Sequence, residues 1–322
     1  MPLPPLSPLS LGTAPLGGLY SPVTDDDAQQ VIEAAWGHGV RFFDTAPMYG
    51  NGSAERRLGA VLSGKPRDSY VLATKVGRLL RLPPGAQGED AYYKGTPPER
   101  PVFDFSYDGV MRSFEESLAR LGLDRIDILH IHDPDHHEAE AMDGAYRALD
   151  RLRADGSIRA VGAGMNQWEM LARFADAGSF DCFLLAGRYT LLDQSALAAL
   201  LPACERRGIG IVAGGVYNSG LLADPKPGAK FNYDDAPPAL IERAQMLAQV
   251  CHAHGVPLKA AAIQFPAFHP AVQSILTGAR TVHELDENVA MSRVRIPPGL
   301  WDELRVRGLI AQAAPTNARI VA

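Results

Sequence analysis

The sequence contains few cysteines, and their spacing excludes a disulfide framework and a paired-cysteine metal site. Cys182, Cys204 and Cys251 are the three cysteines in 322 residues, and no two of them form a CxxC pair. Isolated thiols are typical of proteins in a reducing compartment, whereas small secreted domains carry many paired cysteines. We therefore expect free thiols and a cytoplasmic location.

Long apolar runs and blocks of one charge sign are also missing. No stretch approaches the roughly 20 apolar residues of a membrane-spanning helix, and the proline-broken start MPLPPLSPLSLG has no basic segment typical of a signal peptide. The formal net charge is −6, with acidic and basic residues interspersed. Because no basic patch indicates nucleic-acid binding, we expect a small-molecule substrate, neither nucleic acid nor membrane as a partner, and a monomer or small homo-oligomer.

Strand-like and helix-like segments alternate along the chain. Apolar runs predict strands at 11–18, 40–46, 70–77, 126–132, 158–165, 181–189, 208–216 and 271–279. Amphipathic or capped segments predict helices at 24–38, 53–62, 106–121, 138–154, 167–177, 195–207, 238–254, 258–268, 281–291 and 297–309. Eight strands that are apolar on both faces and mostly separated by helices favour a single-domain (β/α)8 TIM barrel over residues 1–322.

A doubly wound sheet is the alternative fold. A dinucleotide-binding sheet of that kind carries a GxGxxG turn after its first strand, and none is present here. Two long segments rich in proline and glycine, 78–105 and 217–237, are predicted to be irregular. Connectors of that length often cover a functional site, so we expect them to shape a pocket at the C-terminal face of the barrel.

Polar residues follow three consecutive strands of the predicted barrel. The stretch FFDTAPMYGNG ends its apolar run on Asp44, and Tyr49 comes five residues later. The next two strands end on Lys75 and His132. Since the C-terminal ends of barrel strands meet at one rim, these four side chains are expected to lie together. Singly, each also has a structural interpretation, such as a turn residue or a packed ring.

Together these residue types suit proton transfer at a carbinol or carbonyl oxygen. A phenol has a pKa of about 10, and a neighbouring ammonium favours the phenolate. Lys75 would supply that ammonium, Asp44 would pair with it, and His132 would polarise the substrate oxygen. Such chemistry needs a hydride partner, which indicates a nicotinamide cofactor with Tyr49 as the proton carrier.

Two other interpretations stay open at this point. The stretch HIHDPDHH, residues 130–137, contains several metal-ligand types, although Pro134 interrupts their spacing and we expect no metal. Lys75 on a barrel strand would also serve as the nucleophile of a Schiff-base aldolase. That role requires Lys75 to be desolvated and not paired with Asp44.

Several ordered motifs resemble the aldo-keto reductase superfamily. They are FFDTAPMYGNGSAERRLG, YVLATKVG, SFEESLARLGLDRIDILHIHDPD, IRAVGAGMN and ILTGARTVHELDEN, and they cover nearly the whole chain. The resemblance implies a TIM barrel that binds NAD(P)H without a Rossmann fold. It places Asp44, Tyr49, Lys75 and His132 in the catalytic tetrad, with Tyr49 as general acid in reduction and general base in oxidation. Some relatives of this barrel act as cofactor-sensing subunits, but an intact tetrad argues against that role.

The resemblance also implies a set of cofactor contacts. It places Asn166 at the carboxamide, the backbone of Ser219, Gly220 and Leu221 at the pyrophosphate, Gly278 and Arg280 near the adenosine phosphate, and Glu284 and Asn288 near adenine. Three positions depart from the family pattern, because Asn166 is displaced by one residue, Ala186 replaces a glutamine and Gly214 replaces the aromatic residue that stacks on nicotinamide. Glu284 would repel a 2′-phosphate and Arg280 would attract one. We expect NAD or NADP, with NAD preferred.

Within the superfamily, three features resemble the aldose 1-dehydrogenase branch. They are GAGMN after the fifth strand, LLAGRYTLL at the sixth and HIHDPD at the fourth. That branch includes L-fucose, D-threo-aldose and L-galactose dehydrogenases, and a pyridoxal 4-dehydrogenase is also similar. The resemblance implies oxidation of an aldose at C1 to the lactone, with pyridoxal oxidation or general aldehyde and ketone reduction as alternatives. Tyr20, Met48 and Trp168 are candidates for the substrate wall.

Overall fold

The structure is a computed structural model that describes residues 3–85, 90–232 and 234–317. Eight parallel strands, numbered β1 to β8 in chain order, close into a barrel in which each pairs with its sequence neighbours and β1 pairs with β8. Their bounds are Leu9–Gly12, Phe42–Asp44, Val71–Val76, Ile128–His132, Ala160–Met165, Cys182–Ala186, Gly210–Gly214 and Val272–Gly278. The predicted TIM barrel is therefore confirmed.

Helices surround this barrel and follow the predicted segments closely. The α-helices are Asp25–Gly37, Ser53–Leu62, Tyr107–Leu121, Glu138–Glu140, Arg147–Ala154, Trp168–Ala177, Leu200–Arg207, Pro238–Ala253, Leu258–Gln264, Val282–Ser292 and Pro298–Val306. Local capping explains where several begin. The side chains of Thr24, Ser106 and Thr281 each accept a hydrogen bond from a backbone N–H in the first turn, which satisfies a donor that the helix leaves free.

Two predicted helices are more irregular than expected. The segment 138–154 contains a π-helical stretch, Ala141–Tyr146, between its two α-helical parts. The segment 195–207 begins with a 3-10 turn at Ser195–Ala198 before the α-helix starts. Within the described ranges, no helix combines the length and the apolar character needed to cross a membrane.

Both faces of the strands are buried, which explains their apolar runs. In β3, Leu72 packs in the large core between strands and helices, whereas Val71 and Ala73 pack in a second cluster inside the barrel. Successive strand side chains point to opposite faces, so Lys75, two residues after Ala73, faces the interior. Phe42 and Ile128 belong to the same interior cluster. The alternation therefore also directs Asp44 on β2 and His132 on β4 into the barrel.

The two long connectors are not wholly irregular, contrary to prediction. Arg78–Arg81 pairs antiparallel with Arg100–Phe103, and Lys230–Phe231 pairs with Asp234–Asp235. Proline obscured the first pairing in the sequence, because Pro101 lies within one of its strands. A two-stranded ribbon has free edges on which proline is tolerated. Both connectors follow the C-terminal ends of their strands, β3 and β7, so they do lie at the expected face.

Candidate active site

Lys75 and Asp44 form a buried ion pair at the C-terminal end of the barrel. Lys75 Nζ lies 2.6 Å from Asp44 Oδ2 and also donates to the Thr45 carbonyl at 2.9 Å. Both side chains are almost wholly inaccessible, with relative exposures of 2% and 1%. Burial raises the pKa of Asp44, and the Lys75 ammonium opposes that rise. Loss of solvent is a cost of burying this pair, and the attraction between the two charges offsets it.

Tyr49 returns to this pair through a tight turn after β2. The Tyr49 N–H donates to the Ala46 carbonyl at 3.1 Å, and the backbone at Gly50 has a positive φ of 60°. The Tyr49 ring lies 4.6 Å from Lys75 Nζ and meets the His132 ring edge-on at a centroid distance of 5.8 Å. The structure thus brings together all four residues that were predicted from the strand ends.

His132 is held as a neutral imidazole. Burial, followed by the positive charges of Arg78 and Lys75, lowers its pKa well below the usual range. A neutral imidazole donates a hydrogen bond through one ring nitrogen and accepts through the other. His132 can therefore orient a substrate oxygen without carrying a charge of its own.

His130 lies deeper in the same strand and does not reach the cavities. It is fully buried, and its two ring nitrogens have no hydrogen-bond partner among the described residues. Burial and the Lys75 charge lower its pKa to about 3. Its ring fits because residue 162 is glycine, since a Cβ there would come within 2.2 Å of Nδ1. Of the two histidines, His132 is the one that faces a ligand space.

Two cavities meet at Tyr49. The larger has a volume of about 430 Å³ and runs from Tyr49 and Asn166 past residues 215–220 to Gly278 and Arg280. The smaller has a volume of about 290 Å³, and Tyr49, Lys75, His132, Asp133, Met48 and Tyr93 are among its lining residues. Tyr49 and Asn166 line both. We call the larger one the cofactor cleft and the smaller one the substrate cavity, after the ligands predicted from the sequence.

Five of the eight residues predicted to contact the cofactor line the cofactor cleft. They are Asn166, Ser219, Gly220, Gly278 and Arg280. Asn166 Nδ2 donates to the Ala186 carbonyl at 2.9 Å, and no hydrogen bond from the part of the chain that the structure describes reaches its carbonyl oxygen. Ala186 also lines the cleft, and Gly214 adds no side chain to its wall.

Three predicted cofactor residues differ in detail from the expectation. Leu221 is fully buried, and its N–H donates to Asn218 at 3.2 Å, while the Gly220 N–H donates to Tyr217 at 3.1 Å. These two donors close the turn itself and are not free for a pyrophosphate. Asn288 is buried, with Oδ1 accepting from the Tyr217 hydroxyl at 3.0 Å and Nδ2 donating to the Gly278 carbonyl at 3.3 Å. Asn288 therefore does not line the cleft but bonds to two residues that do, Tyr217 and Gly278.

Glu284 contacts Arg280 and is not among the residues that line the cleft. Its carboxylate accepts from the Arg280 backbone N–H at 2.7 Å and lies 3.4 Å from Arg280 Nη2. The Arg280 guanidinium also donates to the Ser21 hydroxyl at 3.4 Å. Arg280 is therefore already paired with a carboxylate where it faces the cofactor cleft.

The three candidates for the substrate wall lie in three different places. Met48 lines the substrate cavity. Tyr20 lines the cofactor cleft instead, with its backbone at a positive φ of 66°. Trp168 begins a helix and packs against the outer core, so it lines neither cavity. Its apolar ring is used for packing between helix and barrel, a role that its sequence position did not distinguish from ligand contact.

The sequence reasoning missed several residues of the substrate cavity. Asp133 and Tyr93 line it, and Arg78 Nη2 donates to Asp133 Oδ2 at 3.1 Å. Asp133 directly follows His132 in the sequence, but the pattern HIHDPDHH indicates only a possible metal-ligand role for it. Arg78 and Tyr93 lie in the segment that was predicted to be irregular, where no strand-end argument applies.

The metal-site interpretation finds no support in the geometry. In residues 3–85, 90–232 and 234–317, no three His, Cys, Asp or Glu side chains form a group that could hold a metal ion. His137 instead packs its ring on Phe103 and Phe105 at centroid distances of 5.1 and 5.3 Å. The ion pair of Lys75 with Asp44 likewise argues against a Schiff-base nucleophile, which needs an unpaired amine.

Comparison with known proteins agrees with this geometry. A family model described as "Aldo/keto reductase family" matches residues 8–305. The chain is 45% identical to a pyridoxal 4-dehydrogenase of Microbacterium luteolum, over 94% of each chain. It is 43% identical to a D-threo-aldose 1-dehydrogenase of a Pseudomonas species, again over 94% of each.

A solved structure supports the fold alone. An aldo-keto reductase from Bacillus halodurans superposes with a TM-score of 0.74 at 21% identity, covering 94% of this chain and 92% of that one. At this identity the likeness concerns the barrel and its connections, and carries no information on substrate.

Proposed function

Because this chain belongs to the aldo/keto reductase family and is an oxidoreductase, we propose that it oxidises an aldose at C1 to the lactone, by hydride transfer to NAD(P)⁺. The observation that carries the proposal is the position of Tyr49. Its phenol lies beside Lys75 and His132 where the substrate cavity meets the cofactor cleft. A proton carrier at that junction reaches the oxygen of the carbon that loses hydride.

Four residues of the chain have separate roles in the proposed oxidation. Tyr49 takes the proton of the anomeric hydroxyl, and the Lys75 ammonium, 4.6 Å from the ring, stabilises the phenolate that accepts it. Asp44 fixes Lys75 and balances its charge. Neutral His132 directs the substrate oxygen toward Tyr49 through a hydrogen bond. The nicotinamide cofactor, when bound, supplies the hydride acceptor.

The cofactor cleft supports a nicotinamide dinucleotide, with NAD preferred. Asn166 would hold the carboxamide through its free carbonyl oxygen, and residues 215–220 with Gly278 would surround the phosphates. The pairing of Arg280 with Glu284 supports the preference. A 2′-phosphate would have to displace a carboxylate from the guanidinium and would be repelled by it.

Pyridoxal is the second candidate substrate, and the 45% identity to a pyridoxal 4-dehydrogenase favours it. An aldose and pyridoxal share one chemical property, because each closes to a cyclic hemiacetal through a hydroxyl of its own. Removing hydride from the hemiacetal carbon and the proton from its hydroxyl gives a lactone directly. The same Tyr49 chemistry therefore serves both compounds, and the choice between them depends on the walls of the substrate cavity.

A panel of substrates tests the proposal. Purified protein is mixed with L-fucose, L-galactose, D-threo-aldoses and pyridoxal, each with NAD⁺ and with NADP⁺, and formation of the reduced cofactor is followed by absorbance. We expect turnover of at least one hemiacetal, with a higher kcat/KM for NAD⁺. Reduction of simple aldehydes and ketones without oxidation of any hemiacetal would overturn the proposal and favour general carbonyl reduction.

We also propose a cellular location and a state of assembly. All three cysteines are free and buried, which supports a reducing, cytoplasmic location. A monomer or a small homo-oligomer is proposed, and size-exclusion chromatography with light scattering measures it.

A further inference from the structure

Asp133 occupies a strained position directly after His132. Its φ is +41°, a left-handed backbone that few residues other than glycine adopt. Its N–H donates to the Gly164 carbonyl at 3.0 Å, which continues the pairing of β4 with β5 by one residue. The strain turns the Asp133 side chain into the wall of the substrate cavity. Strain of this kind persists where the surrounding structure enforces it, commonly at functional sites.

One oxygen of Asp133 is bound by the protein and the other is available. Oδ2 accepts from Arg78 Nη2 at 3.1 Å and lies 3.4 Å from His132 Nε2. Among the described residues, no hydrogen bond reaches Oδ1, and the side chain keeps 30% of its surface exposed. Asp133 therefore presents an acceptor to the cavity beside His132.

Arg78 holds this carboxylate in place. It is 9% exposed, its guanidinium lies over the Phe103 ring at 4.9 Å from the centroid, and it also contacts Met48 Sδ. Burial raises the pKa of Asp133, and the Arg78 guanidinium opposes that rise. A guanidinium fixed on three sides also holds the Asp133 carboxylate in one orientation. An ionised carboxylate only accepts hydrogen bonds, so a ligand group facing it must be a donor.

We propose that Asp133 is a specificity-determining residue that accepts a hydrogen bond from the substrate hydroxyl on the carbon next to the reacting carbon. This inference rests on the proposed function. The reacting oxygen lies between Tyr49 and His132, and Asp133 Oδ2 is 3.4 Å from His132 Nε2. A hydroxyl on the adjacent carbon is the substrate group that reaches the next polar side chain along this wall.

Of the two proposed substrates, an aldose has this feature, because it carries a hydroxyl at C2, beside the reacting C1. In pyridoxal the phenolic hydroxyl is one carbon further from the reacting carbon, on the ring carbon next to the one that bears the aldehyde. Asp133 would therefore recognise an aldose, and would reject a hemiacetal with hydrogen at the adjacent carbon because the carboxylate would lose its partner.

The test compares two substrates in two proteins. The substrates are the fastest aldose of the panel and its 2-deoxy analogue, and the proteins are the wild type and Asp133→Asn. Asparagine is chosen because it also tolerates a left-handed backbone. We expect the wild type to prefer the hydroxylated aldose by about 10- to 100-fold in kcat/KM, the range of a hydrogen bond to a charged group. Asp133→Asn should lose most of that preference, with kcat/KM falling further for the hydroxylated aldose than for the 2-deoxy aldose. Arg78 would hold the amide oxygen, as it holds Oδ2 now, so the amide NH2, a donor, would face the cavity.

Asp135→Asn is the matched control. It removes the same charge from the same loop, and Asp135 is not among the residues lining the substrate cavity. It should keep the wild-type preference for the hydroxylated aldose.

Two results would overturn the inference and leave the proposed function standing. One is a wild type that oxidises both aldoses equally well, a comparison that needs no variant to fold. The other is an Asp133→Asn protein in which both rates fall by the same factor, since that indicates a structural role only. If the wild type oxidises no hemiacetal, the proposed function fails, and the assignment of Asp133 fails with it.

Discussion

Burying Asp44 and Lys75 carries a high desolvation penalty, and it fixes the positions of both side chains at the base of the site. Removing one partner of a buried ion pair typically destabilises a protein by about 3–5 kcal/mol, because the other charge is left uncompensated. Lys75 has two fixed acceptors, the Asp44 carboxylate and the Thr45 carbonyl. Its ammonium is therefore held at a constant distance from the Tyr49 ring, which is the requirement for stabilising a phenolate there.

Replacing Tyr49 by phenylalanine removes the proton carrier and keeps the ring. We expect turnover to fall by at least about 10²- to 10⁴-fold, the range of a general acid–base residue, while cofactor binding stays near the wild-type level. Steady-state rates and a fluorescence titration with NADH measure the two effects. Tyr107→Phe is the control, because Tyr107 begins an outer helix. A Tyr49→Phe protein with a nearly normal rate would remove Tyr49 from its role.

The sequence predicted the three residues that end strands and Tyr49 on the connector after β2, but it did not predict Asp133 and Arg78 as residues of the substrate site. Asp44, Lys75 and His132 follow from alternation along apolar runs, because a polar residue at the end of a buried strand has few places to point. Asp133 and Arg78 depend on a left-handed turn and on a ribbon within 78–105. The predictions that Trp168 and Asn288 contact ligands were wrong. A tryptophan used in packing and an asparagine used in polar support look the same in the sequence as residues that contact a ligand.

The connectors after β1 and β2 touch backbone to backbone, and this contact places Tyr49. A Cβ on Gly17 would lie 2.7 Å from the Gly50 nitrogen and 2.8 Å from the Tyr49 carbonyl carbon. Distances this short do not occur in folded proteins, so the two glycines permit the approach. The geometry of the proton carrier thus depends on a residue in another connector.

Gly17→Ala should therefore displace the turn that carries Tyr49. We expect kcat to fall and the free energy of unfolding to decrease by about 1–3 kcal/mol, as for other overpacked sites. Gly37→Ala is the control, since a Cβ at Gly37 meets nothing within 4 Å. That variant should keep wild-type activity and gain up to about 1 kcal/mol of stability from helix propensity. Unchanged kcat in Gly17→Ala would show that the contact does not position Tyr49.

Helices and strands were predictable because apolar periodicity and capping residues act locally. Thr24, Ser106 and Thr281 show this, since each lies at a helix start and caps it. The ribbon at Arg78–Arg81 and Arg100–Phe103 was not predictable, because its two strands are separated by residues whose composition is that of a loop. The π-helical stretch at Ala141–Tyr146 also has no signal in apolar spacing.

The barrel as a whole encloses neutral histidine, which makes its stability depend on pH. His130 has a pKa of about 3 in the folded protein and about 6.5 when unfolded. Between these values, the unfolded chain binds a proton that the folded chain does not. Stability therefore falls as pH decreases below about 6.5, by about 1.4 kcal/mol per pH unit for this one group.

His130→Leu should remove that dependence. Relative to the wild type, the variant should gain about 2 kcal/mol of unfolding free energy between about pH 7.5 and about pH 5. The raised pKa of Asp44 acts in the opposite direction, but it is present in both proteins and cancels in the comparison. Urea unfolding at the two pH values measures the difference. Parallel pH dependences would show that His130 is protonated inside the folded barrel.

Transfer of deuterium from C1 of an aldose to the nicotinamide ring tests the central claim most directly. The fastest aldose of the panel is labelled at C1 and incubated with NAD⁺, and the cofactor and sugar products are analysed by mass spectrometry. We predict reduced cofactor that carries the label and lactone in equal amount with the wild type, and formation of both at least about 10²-fold slower with Tyr49→Phe. Reduced cofactor without label, or labelled cofactor formed by Tyr49→Phe at the wild-type rate, would contradict the account.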